Sequence, residues 1–170
     1  MSYINGEPAE DWIEENRPEN GVFRVYWKKG STFWGGDATL DPNEGKGLRY
    51  EFHYKDGKRA DGVSKGWFPS GQLKHQWTWK NNEMNGLWIR WHRNGQIYKK
   101  ITYKNGEKDG LWTNWYRHGQ IRDEGIWKNG KKDGLWTFWY EGGNKWKEVT
   151  YKNGKLISSK LWDEKGNILE

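Results

Sequence analysis

Four histidines, three recurring aspartates and a spaced row of tryptophans are the side chains here that could do chemistry or recognition. His53, His75, His92 and His118 would ligate a metal if several converged at ligand spacing. They sit at different phases of the chain and form no close pair, so they are expected to be structural or solvated. Asp61, Asp109 and Asp133 form an acid array. Carboxylates do acid–base work when two unlike groups share a cleft. Each of these precedes a glycine instead, and Asp-Gly is turn chemistry. Asp37, Asp41, Asn43 and Glu44 offer oxygen ligands, but not at the spacing of an EF-hand loop. Gly45-Lys46-Gly47 lacks the frame of a phosphate loop. What is left is the row Trp67, Trp91, Trp115 and Trp139, flanked by Lys65, Lys74, Arg122 and Lys147. Trp and Arg are the residues that interface hot spots use.

That row is periodic, and the period defines the elements that position it. Gly-Leu-Trp recurs at Gly86-Leu87-Trp88, Gly110-Leu111-Trp112 and Gly134-Leu135-Trp136. Lys-Asn-Gly recurs at Lys104-Asn105-Gly106, Lys128-Asn129-Gly130 and Lys152-Asn153-Gly154. Both repeat every 24 residues, the signature of a repeat array. Each unit reads as two apolar runs joined by Asn-Gly or a similar pair, as at Asn94-Gly95. That is a β-hairpin with a type I′ turn. The units are 21–61 with an insertion at 32–49, then 62–85, 86–109, 110–133 and 134–157, with a partial copy at 158–170. Residues 1–20 form an acidic cap segment, in which 8–16 reads as a short helix with Pro8 early and acids in its first turn.

The expected fold is all-β: a single elongated, twisted antiparallel sheet of hairpin repeats with a short N-terminal helical cap. A two-residue turn pairs Arg93 with Gln96. It then sets His92 opposite Ile97, Arg90 opposite Lys99 and Trp88 opposite Ile101. One face carries Trp88, Trp112, Tyr116, Ile121, Trp127, Trp136, Phe138, Tyr140, Val149 and Tyr151, and is expected inside. The other carries Leu87, Trp91, Tyr98, Leu111, Trp115, Arg122, Leu135, Trp139 and Trp146, and is expected to be presented.

The composition explains how such a chain folds. Only 33% of residues are apolar and the mean hydropathy is −1.24, yet 15 are Trp and 17% are aromatic. Few large rings replace an aliphatic core, each covering roughly 150–250 Å². The net charge of +6 is uneven. Glu7, Glu10, Asp11, Glu14, Glu15 and Glu19 face Arg17 alone in the first twenty residues, so the body is basic. There is no cysteine, no apolar run of membrane length and no secretion signal at Met1-Ser2-Tyr3-Ile4-Asn5. A cytoplasmic protein without membrane attachment is expected.

Gly-Leu-Trp-x-x-Trp-Tyr-x-x-Gly-Gln, followed by Tyr-Lys-Asn-Gly-x-x-Asp-Gly-Leu-Trp, resembles the MORN-variant repeat. The chain is most similar to the YwqK-like antitoxin and immunity proteins of bacteria. The resemblance is close at 86–157, recognisable at 62–85 and faint at 21–61. It implies a non-catalytic protein that binds a cognate toxin and occludes it, with no metal or cofactor and no catalytic residue. The expected partner-binding residues are Trp67, Trp91, Trp115, Trp139, Trp146 and Arg122, joined by Trp34, Asp37, Asp41 and Glu44 of the insertion. One alternative is a carbohydrate-binding module that stacks sugars on the tryptophan row. Another is a single-stranded nucleic-acid binder. Acids interspersed at Glu107, Asp109, Asp123, Glu124 and Asp133 weigh against nucleic acid as the partner.

Overall fold

The computed structural model describes the backbone at residues 3–4, 7–8, 17–28, 38–39 and 45–169, and side chains at 17–26 and 47–169. Among these residues there are strands and turns but no helix. The expected helical cap at 8–16 lies outside them except for Pro8, which is extended. The chain divides into two compact units, Met1–Glu83 and Met84–Glu170.

The first unit contains β1 (Tyr3–Ile4), β2 (Glu7–Pro8), β3 (Gly21–Lys28), β4 (Ala38–Thr39), β5 (Gly45–Lys55), β6 (Lys58–Arg59), β7 (Gly62–Trp67) and β8 (Leu73–Lys80). β9 (Glu83–Met84) falls at the boundary. β5 pairs antiparallel with both β3 and β7, and β7 pairs with β8. Phe23 and Val25 of β3 alternate onto one face with Tyr50, Phe52 and Tyr54 of β5, and all five are buried. Trp77 of β8 closes over them, 6.1 Å from Tyr50 and 6.0 Å from Phe52 between ring centres. The expected insertion at 32–49 is partly strand. Gly45 pairs with Lys28 and Leu48 with Tyr26. β3 runs on to Lys28, and its backbone groups take β5 as their partner there.

The second unit is a simple meander: β10 (Gly86–Trp91), β11 (Ile97–Lys104), β12 (Glu107–Trp115), β13 (Ile121–Lys128), β14 (Lys131–Trp139), β15 (Lys145–Lys152), β16 (Lys155–Trp162) and β17 (Ile168–Leu169). Each strand pairs antiparallel with the next.

Two kinds of turn alternate along it, and neither is quite where the pattern puts it. The type I′ turns are the Lys-Asn-Gly sites: Asn105 has φ 49° and Gly106 has φ 77°, with Lys104 paired to Glu107. At Asn94-Gly95, where the two-residue turn is expected, only Gly95 has positive φ, at 84°. Gly95 N–H donates to the His92 carbonyl at 3.1 Å, and His92 N–H to the Gln96 carbonyl at 2.8 Å. This is a longer turn ending in a left-handed glycine.

The difference shifts the register by one. Trp91 faces Ile97, not Tyr98, and His92 closes on Gln96 rather than facing Ile97. A bulge at Tyr98 then restores the offset. Arg90 therefore still faces Lys99, and Trp88 still faces Ile101. The same bulge recurs at Arg122 and Trp146. It reverses four side chains relative to the expectation. Tyr98 leaves the Trp91 face, with Arg90 5.6 Å and Lys99 5.4 Å from its ring centre. Ile121 joins Trp115, opposite which it pairs. Arg122 bonds Asp123, and Trp146 packs 5.7 Å from Phe138 and 6.3 Å from Tyr140, so both leave the Trp115 and Trp139 face. A one-residue slip flips a side chain across a sheet, and a bulge does this locally.

The glycine of Gly-Leu-Trp sits within a strand. Gly110 has φ 118° and lies at an irregularity where Ile101 pairs with Trp112 but Tyr103 with Lys108. The preceding aspartate reaches the next tight turn. Asp109 accepts from the Asn129 backbone N–H at 3.0 Å, and Asp133 from that of Asn153 at 3.0 Å. Beside them Gly130 N–H donates to the Lys108 carbonyl at 2.9 Å, and Gly154 N–H to that of Lys132 at 2.8 Å.

Trp136 is the centre of the second unit, at 2% exposure. Its ring lies 5.7 Å from Trp127, 6.2 Å from Trp112 and 6.4 Å from both Phe138 and Tyr151. Its indole N–H donates to the Ile126 carbonyl at 3.1 Å. Gly125 makes this possible: a Cβ there would occupy the space of the ring.

Gly125→Ala is therefore expected to destabilise the protein by about 3 kcal/mol, the upper range of overpacking, measured by urea unfolding. Acid should loosen the repeats. The Asn153 backbone N–H, and next Lys152, hold the Asp133 carboxyl below its ordinary range. Its folded value lies below its unfolded one, so its contribution is present above the unfolded value. That contribution is lost as the pH falls through the folded value. Melting temperatures between pH 7 and pH 3 should fall more steeply for the natural protein than for Asp133→Ala.

Candidate functional site

The meander of the second unit has two faces of different chemistry. On the face here called outer, Trp91, Trp115 and Trp139 end β10, β12 and β14, each half-buried. They pair with Ile97, Ile121 and Lys145. Leu87, Leu111 and Leu135 occupy the other end of the same strands and are 45%, 51% and 52% exposed. Between these two rows runs a polar one: Lys100, Thr113, Glu124, Thr137, Glu148 and Lys160 are successive cross-strand partners. Thr113 and Thr137 are buried, and charges of both signs alternate with them. Lys145 Nζ donates to Glu148 at the β15 end of this face.

The inner face carries Trp88, Ile101, Trp112, Asn114, Asp123, Trp127, Trp136, Phe138, Val149 and Tyr151. Asp123 is buried at 6% exposure and accepts three hydrogen bonds. Trp112 Nε1–H donates at 2.9 Å, Asn114 Nδ2–H at 2.7 Å and Arg122 Nε–H at 2.9 Å. Its charge is thus spent within the sheet. The lysines of this face rest on rings instead. Lys99 Nζ stands 4.6 Å over Trp112, Lys108 4.5 Å over Trp127 and Lys132 4.3 Å over Trp136. Burial, then the charges of Arg90 and Arg122, lowers the Lys99 ammonium from its ordinary range. Burial likewise lowers Lys132, with Lys147 adding to the effect against Asp123. Cations over aromatic faces recover from the ring quadrupole part of what they lose in hydration.

The sequence-derived binding residues are therefore dispersed. Trp91, Trp115 and Trp139 share the outer face, whereas Arg122 and Trp146 belong to the inner one. Trp67 ends β7 in the first unit and is half-buried. Trp34, Asp37, Asp41 and Glu44 lie outside the described residues. The histidines have local partners. His75 stacks on Trp77 at 5.1 Å, His92 meets Tyr98 edge-on at 5.0 Å, His118 stacks on Tyr116 at 5.7 Å and His53 reaches Glu51 at 3.5 Å. No three metal-binding side chains converge among the described residues. Of the inner-face lysines the sequence singles out Lys147 alone, as a flank of the tryptophan row, and not Lys99, Lys108 or Lys132. Lys108 and Lys132 do share one phase of the repeat, just before the recurring Asp-Gly, and that was the available signal.

Asp123→Ala is expected to cost about 2 kcal/mol, because it leaves Arg122 without its carboxylate and two neutral donors, Trp112 Nε1–H and Asn114 Nδ2–H, without an acceptor. In a double-mutant cycle with Arg122→Ala, coupling near zero would show that Asp123 is not the acceptor that holds Arg122.

The hydrogen bonds define the repeat. Met84, Lys108 and Lys132 carbonyls each accept from the glycine of the tight turn in the next hairpin unit, Gly106, Gly130 and Gly154. The family described as MORN repeat variant matches residues 60–81, 84–105, 108–129 and 132–153. No curated protein matches the chain. Three of the four matched segments begin at one of those accepting residues and end at the asparagine before the donating glycine. Together the four span just over half of the sequence, and the chain belongs to the MORN repeat variant family.

Proposed function

We propose that the protein works by binding rather than catalysis, as an antitoxin or immunity protein that occludes a cognate toxin domain in the cytoplasm. The observation that carries this is the outer face. Three leucines about half exposed and three half-buried tryptophans recur at fixed heights on alternate strands. Exposed apolar rows on a rigid scaffold mark contact surfaces, and Trp is a favoured anchor within them. The hydrogen bonds between successive units hold the rows in place, so little ordering cost is left for the partner to meet. The resemblance to YwqK-like proteins supplies the class of partner.

The test is co-expression with the toxin-like reading frame beside the gene, followed by native mass spectrometry and a growth assay. A one-to-one complex and restored growth are expected. Trp115→Ala and Trp139→Ala should each weaken the complex by about 2 kcal/mol, the scale of a hot-spot residue. No complex and no protection would end the proposal.

A further inference from the structure

Charges that alternate along the sequence are sorted by the sheet. Arg90 on β10, Lys99 on β11, Lys108 on β12, Arg122 on β13, Lys132 on β14 and Lys147 on β15 place one cation on each of six consecutive strands. Ring contacts and mutual charge effects put them on the inner face. Strands lie about 4.8 Å apart, so the series spans about 24 Å. Most of the acids that intersperse these cations in sequence are removed by the fold, Glu107 and Glu141 remaining exposed. Asp109 and Asp133 bind turn N–H groups, and Glu124 and Glu148 belong to the outer row. Asp123 is saturated by Trp112, Asn114 and Arg122. Among the described residues, Arg90, Lys99, Lys108, Lys132 and Lys147 make no ion pair.

The cations also follow the rings. Lys99 and Lys108 stand 4.6 Å and 5.1 Å from the same Trp112 ring, and Lys108 is also 4.5 Å from Trp127. Trp127 meets Trp136, over which Lys132 stands, 5.0 Å from Tyr151 as well. Trp88, Trp112, Trp127 and Trp146 keep part of their surface open to solvent.

We infer that the inner face of residues 84–170 is a binding track for single-stranded nucleic acid, with phosphates taken by the five unpaired cations and bases laid against the half-exposed tryptophans. The register sets Arg90, Lys99 and Lys147 at one height of the sheet and Lys108 and Lys132 at another, with Trp112 and Trp136 between them. Two rows of cations with rings between them fit a linear polyanion whose bases can lie against the rings. An acidic peptide offers the charge without the rings. A duplex requires an element that enters a groove, a helix or a projecting ribbon, and this face is a sheet. The track is a separate surface from the outer-face rows, so either assignment can fail alone.

The test is fluorescence anisotropy of the full chain with a labelled twelve-residue oligothymidylate in 50 and 200 mM salt. Saturable binding is expected, with a log–log salt slope of about −3.5 for five phosphates. Lys108→Gln with Lys132→Gln should weaken binding roughly tenfold at the lower salt. Lys100→Gln with Lys160→Gln, on the outer row, should change it less than about twofold. Tryptophan emission of the unaltered chain, followed during the same titration, serves if the inner variant loses its fold: quenching is expected. No binding at 50 mM salt, no quenching, equal loss from the outer variant, or equal competition by a twelve-residue polyglutamate would each overturn the inference.

Discussion

Each tight turn in the second unit rests on the strand of the repeat before it. The Asn129 backbone N–H is held by Asp109, and that of Gly130 by the Lys108 carbonyl. The pair recurs at Asn153 and Gly154 with Asp133 and Lys132. A two-residue turn leaves backbone donors that need partners, and here the preceding repeat supplies them. Register is thereby pinned from repeat to repeat without a helix or a second layer. Tyr116 and Tyr140 add the same service at the other edge, donating to the Trp139 and Trp162 carbonyls at 2.6 and 2.9 Å. With both edges fixed, Trp136 can be held over Gly125 and buried although most of the sheet is polar.

Two irregularities per hairpin then decide what each face presents. The longer turn at Asn94-Gly95 displaces the pairing by one residue, and the bulge at Tyr98 returns it. The sheet as a whole is unaffected; only the residues between the two offsets change sides. At the equivalent positions this brings Arg122 to Asp123 and Trp146 to Phe138. Without it Asp123 would be a buried carboxylate lacking its cation, which is costly. The bulge is thus part of the electrostatics of the inner face as much as of its geometry.

Much of the fold was legible in the residues. The 24-residue period, the strand character and the pairing of Trp88 with Ile101 follow from glycine placement and apolar runs. The turn types were exchanged, because Asn-Gly occurs at both ends of the hairpin from Gly86 to Gly106 and composition does not separate them. Arg122 and Trp146 were misplaced for the same reason: a bulge adds a residue without a residue type of its own. The recurring aspartates were recognised as turn residues, yet they serve the turn twenty positions later, a contact that no local pattern expresses. The basic face was hidden most completely. In sequence its cations alternate with acids, and only register shows that most of the acids are tied up in turns, buried beside Arg122 or turned to the other side.

That sorting explains why so tryptophan-rich a sheet carries lysines where ion pairs would be expected. A lysine paired with a glutamate across strands would neutralise the face and gain little at a partly exposed site. A lysine laid on an indole also covers apolar surface with its stem and keeps its charge available. Lys99, Lys108 and Lys132 do this over Trp112, Trp127 and Trp136. The rings of the inner face are therefore both core and pedestal. The outer face takes the opposite course, balancing Lys100, Glu124, Glu148 and Lys160 in one row and leaving its leucines open. One repeat thus builds a neutral apolar surface and a charged aromatic one back to back, on strands whose register is held by the same turns.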